Sequence, residues 1–385
     1  MQNNEKNKYM WRVAKLCSTL LFALFSFFYL YSMQSELLAC FQYILSDGLT
    51  SYSPFVGSML LTLLLVFVGE VLAYAWGLPM AFVALSYFPS AILLALISGG
   101  SPVQGGISGS GILWGWLAFV LVLGSVAVIL LRKYASYIVR EKYQYTDMWP
   151  NAVFLTLLFV FVGAAGNSNE ALHYQLKAER LLCEERYDEI AELRCPSSRL
   201  APVFCAIRSL ALAHEHRLGD ELFRVPQTQK AMGLMASGRD FLSCDSLEYR
   251  FYEMWGAKPG KHIANNPELF FKMVVDRHVA DTLQNSVVAD YYLCSLLLDR
   301  KLDQFAAEVG EYYPLNDSLP RHYREALVLY KRLRTNPVCI YENESLEEDY
   351  SDFLSLSREK ALLEVRRNRM RKAYGKTYWY YYTCP

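Results

Sequence analysis

The chain has 385 residues, no net charge at neutral pH and a hydrophobic content of 53%. These averages combine two different halves, because residues 1–166 hold only eight basic and six acidic side chains while residues 167–385 hold the other 30 and 32. The second half therefore has the charge density of a water-soluble domain, and the first half does not. Neither half is strongly basic, which excludes the electrostatic signature of a nucleic-acid-binding protein.

Apolar stretches of membrane-spanning length dominate the first half. A helix that crosses the hydrocarbon core of a bilayer needs about 20 mostly apolar residues. Five stretches meet or approach that length, and the fifth is the shortest: residues 16–33, 55–76, 79–97, 111–131 and 150–166. The sequence thus predicts an amino-terminal bundle of about five transmembrane helices over residues 1–166, with the lipid bilayer as its surroundings.

The basic residues of this half predict its orientation. All eight lie in residues 1–15 and 132–149, whereas the loops at residues 34–54 and 98–110 contain none. Loops rich in Lys and Arg remain in the cytoplasm. The amino terminus is therefore predicted to be cytoplasmic. An odd number of spans then puts residues 167–385 on the periplasmic side of the inner membrane, and the loss of one span would reverse this.

Two alternatives concern the first apolar stretch. It could be a cleaved signal peptide, but its apolar length exceeds that of a usual signal core and no small-residue cleavage site follows it directly. Leu37-Leu38-Ala39-Cys40 resembles a lipoprotein cleavage site, but it lies beyond the apolar stretch and just after Glu36. A retained first span is the preferred interpretation.

Residues 167–385 have the pattern of a soluble, mostly helical domain. Three segments share one layout, in which an apolar helix end, a charged turn, an apolar residue and an acidic helix start follow one another: residues 181–189, 212–220 and 296–304. This layout is typical of the turn in a tetratricopeptide-like helical hairpin, although the spacing of the copies is irregular. Two interpretations of this layout remain open. The domain could be an irregular helical-hairpin solenoid, or the three segments could be unrelated helix–turn–helix corners. The predicted fold class is all-α throughout.

The carboxyl-terminal end combines a basic helix with five consecutive aromatic residues, which are Tyr378, Trp379, Tyr380, Tyr381 and Tyr382. Such rings bury a large area at a small cost in conformational entropy. We predict that they anchor the end of the domain. They could dock on their own domain or rest against the membrane surface, where Tyr and Trp are enriched.

Glu70 is the ionisable residue that lies within a predicted span. A charged group there is costly and normally faces protein or water. It could serve a proton or ion relay, or it could be a structural carboxyl within the bundle. Because no partner in another span is evident, the structural role is preferred, and Glu70→Gln is expected to be tolerated.

The sequence specifies no reaction. It contains no HExxH, no CxxC and no Gly-x-Ser-x-Gly, and Gly375-Lys376-Thr377 lacks the preceding glycine of a nucleotide-binding loop. Seven cysteines in the second half would permit disulfides in an oxidising compartment. We predict no cofactor, no metal and no catalytic residue.

Three phrases in the second half carry a family resemblance: Leu218-Gly219-Asp220, residues 320–327 (PRHYREAL) and residues 374–381 (YGKTYWYY). With these phrases and its apolar first half, the chain resembles an uncharacterised family of Bacteroidetes multi-pass inner-membrane proteins with a helical, tetratricopeptide-like carboxyl-terminal half. The resemblance implies a location in the cell envelope and supplies no catalytic residue.

Three classes of function remain. The preferred one is a membrane-anchored scaffold or adaptor whose helical domain binds a protein partner in the cell envelope, because stacked helical hairpins create extended concave surfaces. The alternatives are a membrane enzyme of envelope glycan or lipid metabolism and a transporter subunit that uses Glu70.

Overall fold

A computed structural model describes residues 2–103, 106–108, 149–194, 202–258, 266–277, 282–359 and 362–384, together with isolated positions between residues 115 and 133. The chain divides into two compact units, Met1–His173 and Tyr174–Pro385. The predicted domain boundary, between residues 166 and 167, lies a few residues before this division. Each unit is described by itself.

The all-α prediction is confirmed. Within the described residues, the strands are limited to one antiparallel hairpin, in which Ser101–Val103 pairs with Gly106–Ser108. The helices of the first unit are Gln2–Phe28 with a π-helical continuation at Tyr29–Met33, Ser35–Leu45, Pro54–Trp76, a 3₁₀ segment at Met80–Tyr87 that runs into Phe88–Ser98, and Trp149–Ala165.

Among the described residues, three helices are long and apolar enough to cross a membrane: Tyr9–Met33, Pro54–Trp76 and Met80–Ser98. They coincide with the first three predicted spans. The fourth predicted span, residues 111–131, falls largely outside the described residues. The fifth forms a helix of 17 residues, Trp149–Ala165, which meets the length criterion only together with the helix that follows it.

The first helix contributes to the core of the bundle. Phe22 stacks on Tyr87 with the ring centroids 4.7 Å apart, and Phe25 stacks on Phe159 at 3.9 Å. Trp11 donates a hydrogen bond to the carbonyl of Leu78. These contacts make the first helix part of the core of the first unit.

The third span is not a continuous α-helix, because its first part, Met80–Tyr87, is 3₁₀-helical. Pro89 follows this segment and has no amide hydrogen with which to continue an i→i−4 ladder. The side chain of Asn151 completes the local hydrogen bonds, since its Nδ2 donates to the carbonyl of Met80 and its Oδ1 accepts from the amide of Ala84. A buried asparagine thus satisfies backbone groups where the helix is irregular.

Polar contacts define the two ends of the bundle. Trp11, Leu78 and Asn151 lie at one end. At the other end, the amide of Asn167 donates to the carbonyl of Ser98. Asn167 therefore lies at the end of the bundle opposite to Trp11.

The second unit is helical throughout its described residues. Its α-helices begin with Glu170–Cys183, which starts in the first unit, and continue with Tyr187–Glu192, Pro202–His214, Leu218–Glu221, Glu248–Trp255, Pro267–Arg277, Thr282–Leu298, Leu302–Tyr312, Arg321–Leu333, Glu344–Ser357, Leu363–Tyr374 and Tyr378–Thr383. Short 3₁₀ segments lie at Leu222–Arg224, Lys230–Leu234, Gly238–Asp240 and Asp245–Leu247.

The three segments of common layout form helix corners of one geometry. At each corner a residue other than glycine adopts a left-handed conformation, with φ of 57° at Glu185, 53° at His216 and 58° at Arg300. The amide of the following residue donates to the carbonyl five residues before it, over 2.8–3.0 Å. This is the 6→1 bond of a Schellman helix end. The common sequence layout therefore specifies a common backbone corner.

The core of the second unit is rich in aromatic side chains. Trp255 is 1% exposed and meets Phe270, Phe271 and Tyr291 edge to face, with centroids 5.3–5.5 Å apart. Edge-to-face pairs of this kind add about 0.5–1.5 kcal/mol to the burial of their area. The Thr282–Leu298 helix runs through this core and packs against the Pro267–Arg277 and Leu302–Tyr312 helices.

Candidate functional site

In the first unit, Glu70 belongs to a cluster of polar side chains. Its Oε2 lies 2.5 Å from the ammonium group of Lys15. Its Oε1 accepts hydrogen bonds from the hydroxyls of Thr19 and Tyr87, both over 2.8 Å. The interpretation of Glu70 as a carboxyl without a charged partner in another helix is therefore wrong.

The sequence missed this pair for a physical reason. Residues 1–15 were predicted to be cytoplasmic, but the first helix extends through Lys15, and the part of it that is apolar enough to cross a membrane begins at Tyr9. Lys15 and Glu70 are about one-quarter and one-third exposed. The arrangement compensates the carboxylate charge within the bundle and favours a structural role for Glu70 over an ion relay.

In the second unit, the three phrases that carry the family resemblance meet in space. The amide of Arg321, at the first turn of the Arg321–Leu333 helix, donates to the carboxylate of Asp220 over 2.6 Å. This is an N-cap interaction supplied by a residue 101 positions earlier in the chain. Next to Asp220, a Cβ atom on Gly219 would lie 2.7 Å from the Cβ of Pro320, so this close approach requires glycine.

The aromatic tail docks on the same helix. Tyr378 and Trp379 are 0% and 1% exposed. The indole nitrogen of Trp379 donates to the carbonyl of Glu325 over 2.7 Å. Tyr381 donates to the carbonyl of Leu298 over 2.6 Å. Of the two predicted docking modes, the structure has the tail packed on its own domain.

Glu325 connects the tail to the helix. Its carboxylate is 1% exposed and accepts from the Tyr378 amide over 2.7 Å, from the Nδ1 of His322 over 3.0 Å and from Arg321 over 2.8 Å. Burial alone would raise the pKa of Glu325, but the His322 hydrogen bond and charge, the Tyr378 amide and the Arg321 charge together lower it. The buried carboxylate therefore stays ionised and holds the tail in place.

A cavity of about 430 Å³ opens beside the docked tail. One wall comes from residues 223–230 and the other from Gly375, Tyr380, Tyr381 and Cys384. Phe223 joins the two walls, with its ring centroid 5.1 Å from that of Tyr378 and 4.9 Å from that of Tyr381. This volume is within the usual range for small-molecule sites.

Three basic side chains line the cavity: Lys230, Arg300 and Arg371. Arg300 donates to the carbonyl of Tyr381 over 3.0 Å, and its guanidinium lies 5.4 Å from the centroid of that ring. Burial raises the pKa of Tyr381 to about 12 although Arg300 opposes the shift, so this hydroxyl is neutral at physiological pH. The lining residues include no carboxylate.

Sequence reasoning did not identify this cavity. Arg300 was noticed as part of a charged turn and Arg371 as part of a basic helix, but Lys230 lies in a segment without a motif. The tail was predicted as an anchor only. No sequence signal shows that these segments, far apart in the chain, line one cavity, because their proximity depends on the docking of the tail.

The other candidate groups, which are metal ligands, thiols and histidines, do not form a further site within the described residues. Among them, no group of three or more His, Cys, Asp or Glu side chains is placed to hold a metal ion. Three of the described cysteines are buried: Cys40, Cys205 and Cys294. His214 stacks on Tyr187 with a centroid distance of 4.0 Å.

Comparison with known proteins gives one result. A model described as a family of unknown function (DUF6057) matches residues 262–385. Two of the three phrases, at residues 320–327 and 374–381, lie in the matched part, and Leu218-Gly219-Asp220 lies before it. No curated protein and no solved structure matches the chain. The carboxyl-terminal third is thus similar to an uncharacterised family, and the predicted Bacteroidetes origin stays a prediction.

The first prediction concerns the Lys15–Glu70 pair and replaces the expectation of a tolerated Glu70→Gln. Removing one charge leaves the other without its partner in an apolar bundle, so Glu70→Gln and Lys15→Met should each lower the thermal midpoint of the purified protein. The double variant should melt closer to the wild type than either single variant, with a coupling energy of about 1–3 kcal/mol. If the decreases in thermal midpoint of the two single variants simply add in the double variant, the pairing is contradicted.

The second prediction concerns Gly219, which lies in the short Leu218–Glu221 helix. In a helix, Gly→Ala usually stabilises by about 0.5–1 kcal/mol. Gly219→Ala should instead destabilise by about 1–3 kcal/mol, because its Cβ would meet the rigid ring of Pro320.

Gly310→Ala is the matched control, because its Cβ would meet nothing nearer than Leu315 at 3.9 Å. Thermal midpoints of the full-length protein in mild detergent should move in opposite directions for the two variants. A shift to higher temperature in both would show that the approach of Gly219 to Pro320 is not a constraint.

Proposed function

We propose that this protein is a multi-pass protein of the inner membrane that holds a helical binding domain on the periplasmic side and acts as a scaffold or adaptor. The orientation is supported by the basic residues, which all lie in segments on one side of the predicted spans. The position of Asn167 at the end of the bundle opposite to Trp11 also supports it, because the carboxyl-terminal unit then follows from the far end.

The observation that carries the binding role is the set of three equivalent helix corners at Glu185, His216 and Arg300. Corners of one geometry stack successive helices in a repeated manner, as in helical-hairpin proteins that bind peptides and proteins on their surfaces. A tetratricopeptide-like arrangement is part of this proposal.

An apolar surface near residue 340 is the proposed contact with the partner. Val338 and Ile340 are 81% and 59% exposed, whereas Tyr341 is 3% exposed and Cys339 packs against the core. Burial alternates along this segment, so Val338 and Ile340 face outward together. Exposed apolar groups next to each other are typical of interaction surfaces.

Each of the two alternative functions has its own test. An enzyme of envelope glycan or lipid metabolism would retain a lipid-linked substrate after purification. A transporter subunit would need Glu70 for activity independently of folding, and the ion pair with Lys15 supports a structural role instead.

The third prediction tests the orientation with reporter fusions. A fusion after Gly77, in the turn between the second and third spans, should report a cytoplasmic location. A fusion after Arg250 should report a periplasmic one. A cytoplasmic signal from the fusion at Arg250 would overturn the periplasmic domain and with it the proposed site of action.

The fourth prediction tests the partner surface. The full-length protein, purified in mild detergent, should retain a stoichiometric protein partner. Val338→Ser with Ile340→Ser should release that partner, because the change removes apolar area from the contact without altering the core.

Leu315→Ser is the control, since Leu315 is 42% exposed and lies in another loop of the same unit. Retention of the partner by the Val338/Ile340 variant would exclude this surface. Recovery of a lipid-linked sugar in place of a protein would favour the enzyme.

A further inference from the structure

The cavity beside the aromatic tail combines an apolar wall with positive charge. Phe223, Val225 and Pro226 form one side, and the rings of Tyr380 and Tyr381 form the other. Val225 and Phe223 are buried, so this side of the cavity is fixed by the core and not by mobile surface groups.

The three basic side chains of the cavity form no ion pair within the part of the chain that the structure describes. In the part of the chain that the structure describes, Lys230 and Arg371 have no carboxylate within ion-pair distance, and the carboxylate of Asp299 accepts from the amide of Ala231 instead. Arg300 is oriented by the backbone of Tyr381 and also has no acidic partner among the described residues. Three basic side chains that form no ion pair therefore line one apolar space, with the carboxylate of Asp299 nearby.

We propose that this cavity binds a small amphiphile that carries an anionic head group, a phosphate or a carboxylate, on an apolar body. Lysine and arginine supply the charge and the hydrogen-bond donors that such a head group needs. The rings of Phe223, Tyr380 and Tyr381 supply the apolar contact. The volume of about 430 Å³ accommodates one small molecule.

This ligand site goes beyond the proposed adaptor role, because it does not depend on a protein partner or on the surface at Val338 and Ile340. The site also adjoins the docked tail. Tyr381 contacts both the cavity and the Thr282–Leu298 helix end, so an occupant of the cavity would also contact the docked tail.

The fifth prediction is tested by calorimetric titration of the full-length protein in nanodiscs of zwitterionic phospholipid. Three probes are compared. Phenyl phosphate has both the charge and the apolar ring of the proposed ligand. Inorganic phosphate has only the charge, and benzyl alcohol has only the apolar ring. Phenyl phosphate should bind at least about tenfold more tightly than either of the other two, because each of these lacks one set of contacts.

The variant for this test is Lys230→Gln with Arg371→Gln, and the matched control is Arg367→Gln with Lys372→Gln. Both pairs remove two positive charges. The control residues are exposed on the same helix as Arg371 but do not line the cavity. The first pair should weaken phenyl phosphate at least about tenfold, and the second should change its affinity less than about twofold. Equal thermal midpoints of the two variants would confirm that both are folded.

Equal weakening by both pairs would overturn the proposal, because binding would then depend on net charge alone. Equal affinities for phenyl phosphate and inorganic phosphate would also overturn it, since the apolar wall would then contribute nothing. A second titration in nanodiscs that contain phosphatidylglycerol distinguishes the sources of the ligand. A lower affinity for phenyl phosphate there indicates a lipid head group in the cavity, and an unchanged affinity indicates a soluble anionic ligand.

Discussion

The buried carboxylate of Glu325 is the interaction on which the carboxyl-terminal unit depends. It joins the Arg321–Leu333 helix to the tail through the Tyr378 amide, and the carbonyl of the same residue accepts from the indole of Trp379. A buried charge is tolerated only when it is paired and hydrogen-bonded. Here Arg321 supplies the positive partner, and His322 supplies a further hydrogen bond. The tail is consequently a structural element of the core, and the cavity beside it exists only while the tail is docked.

A comparable constraint acts in the first unit, which has helices apolar enough to cross a membrane. Within a bilayer, backbone groups cannot be satisfied by water. The polar side chains of its helices serve this need. Asn151 completes the 3₁₀ segment, and Ser90 donates to the carbonyl of Leu65 over 2.7 Å. The Lys15–Glu70 pair belongs to the same set of contacts between helices. Polar residues in this bundle therefore hold its helices in register, and none of these contacts requires a transported ion.

Much of the fold could be predicted from the sequence, because it depends on local patterns. Apolar length predicted the first three spans, and the layout of residues 181–189, 212–220 and 296–304 predicted three helix corners. The Lys15–Glu70 pair was missed because it depends on where the first helix begins, and the positive charge of residues 1–15 suggested a cytoplasmic segment. The cavity could not be predicted, because Lys230, Arg300 and Arg371 meet only through tertiary contacts.

The helix corners show how one backbone geometry serves different purposes. A left-handed residue other than glycine costs about 1 kcal/mol or more, and Gly256 ends the Glu248–Trp255 helix in the same conformation without that cost. At Glu185 the side chain forms an ion pair with Arg250. At Arg300 it holds the tail and lines the cavity. Because the backbone of the corner is fixed by its hydrogen bonds, the identity of this one side chain decides whether the corner is only a turn or also lines the cavity.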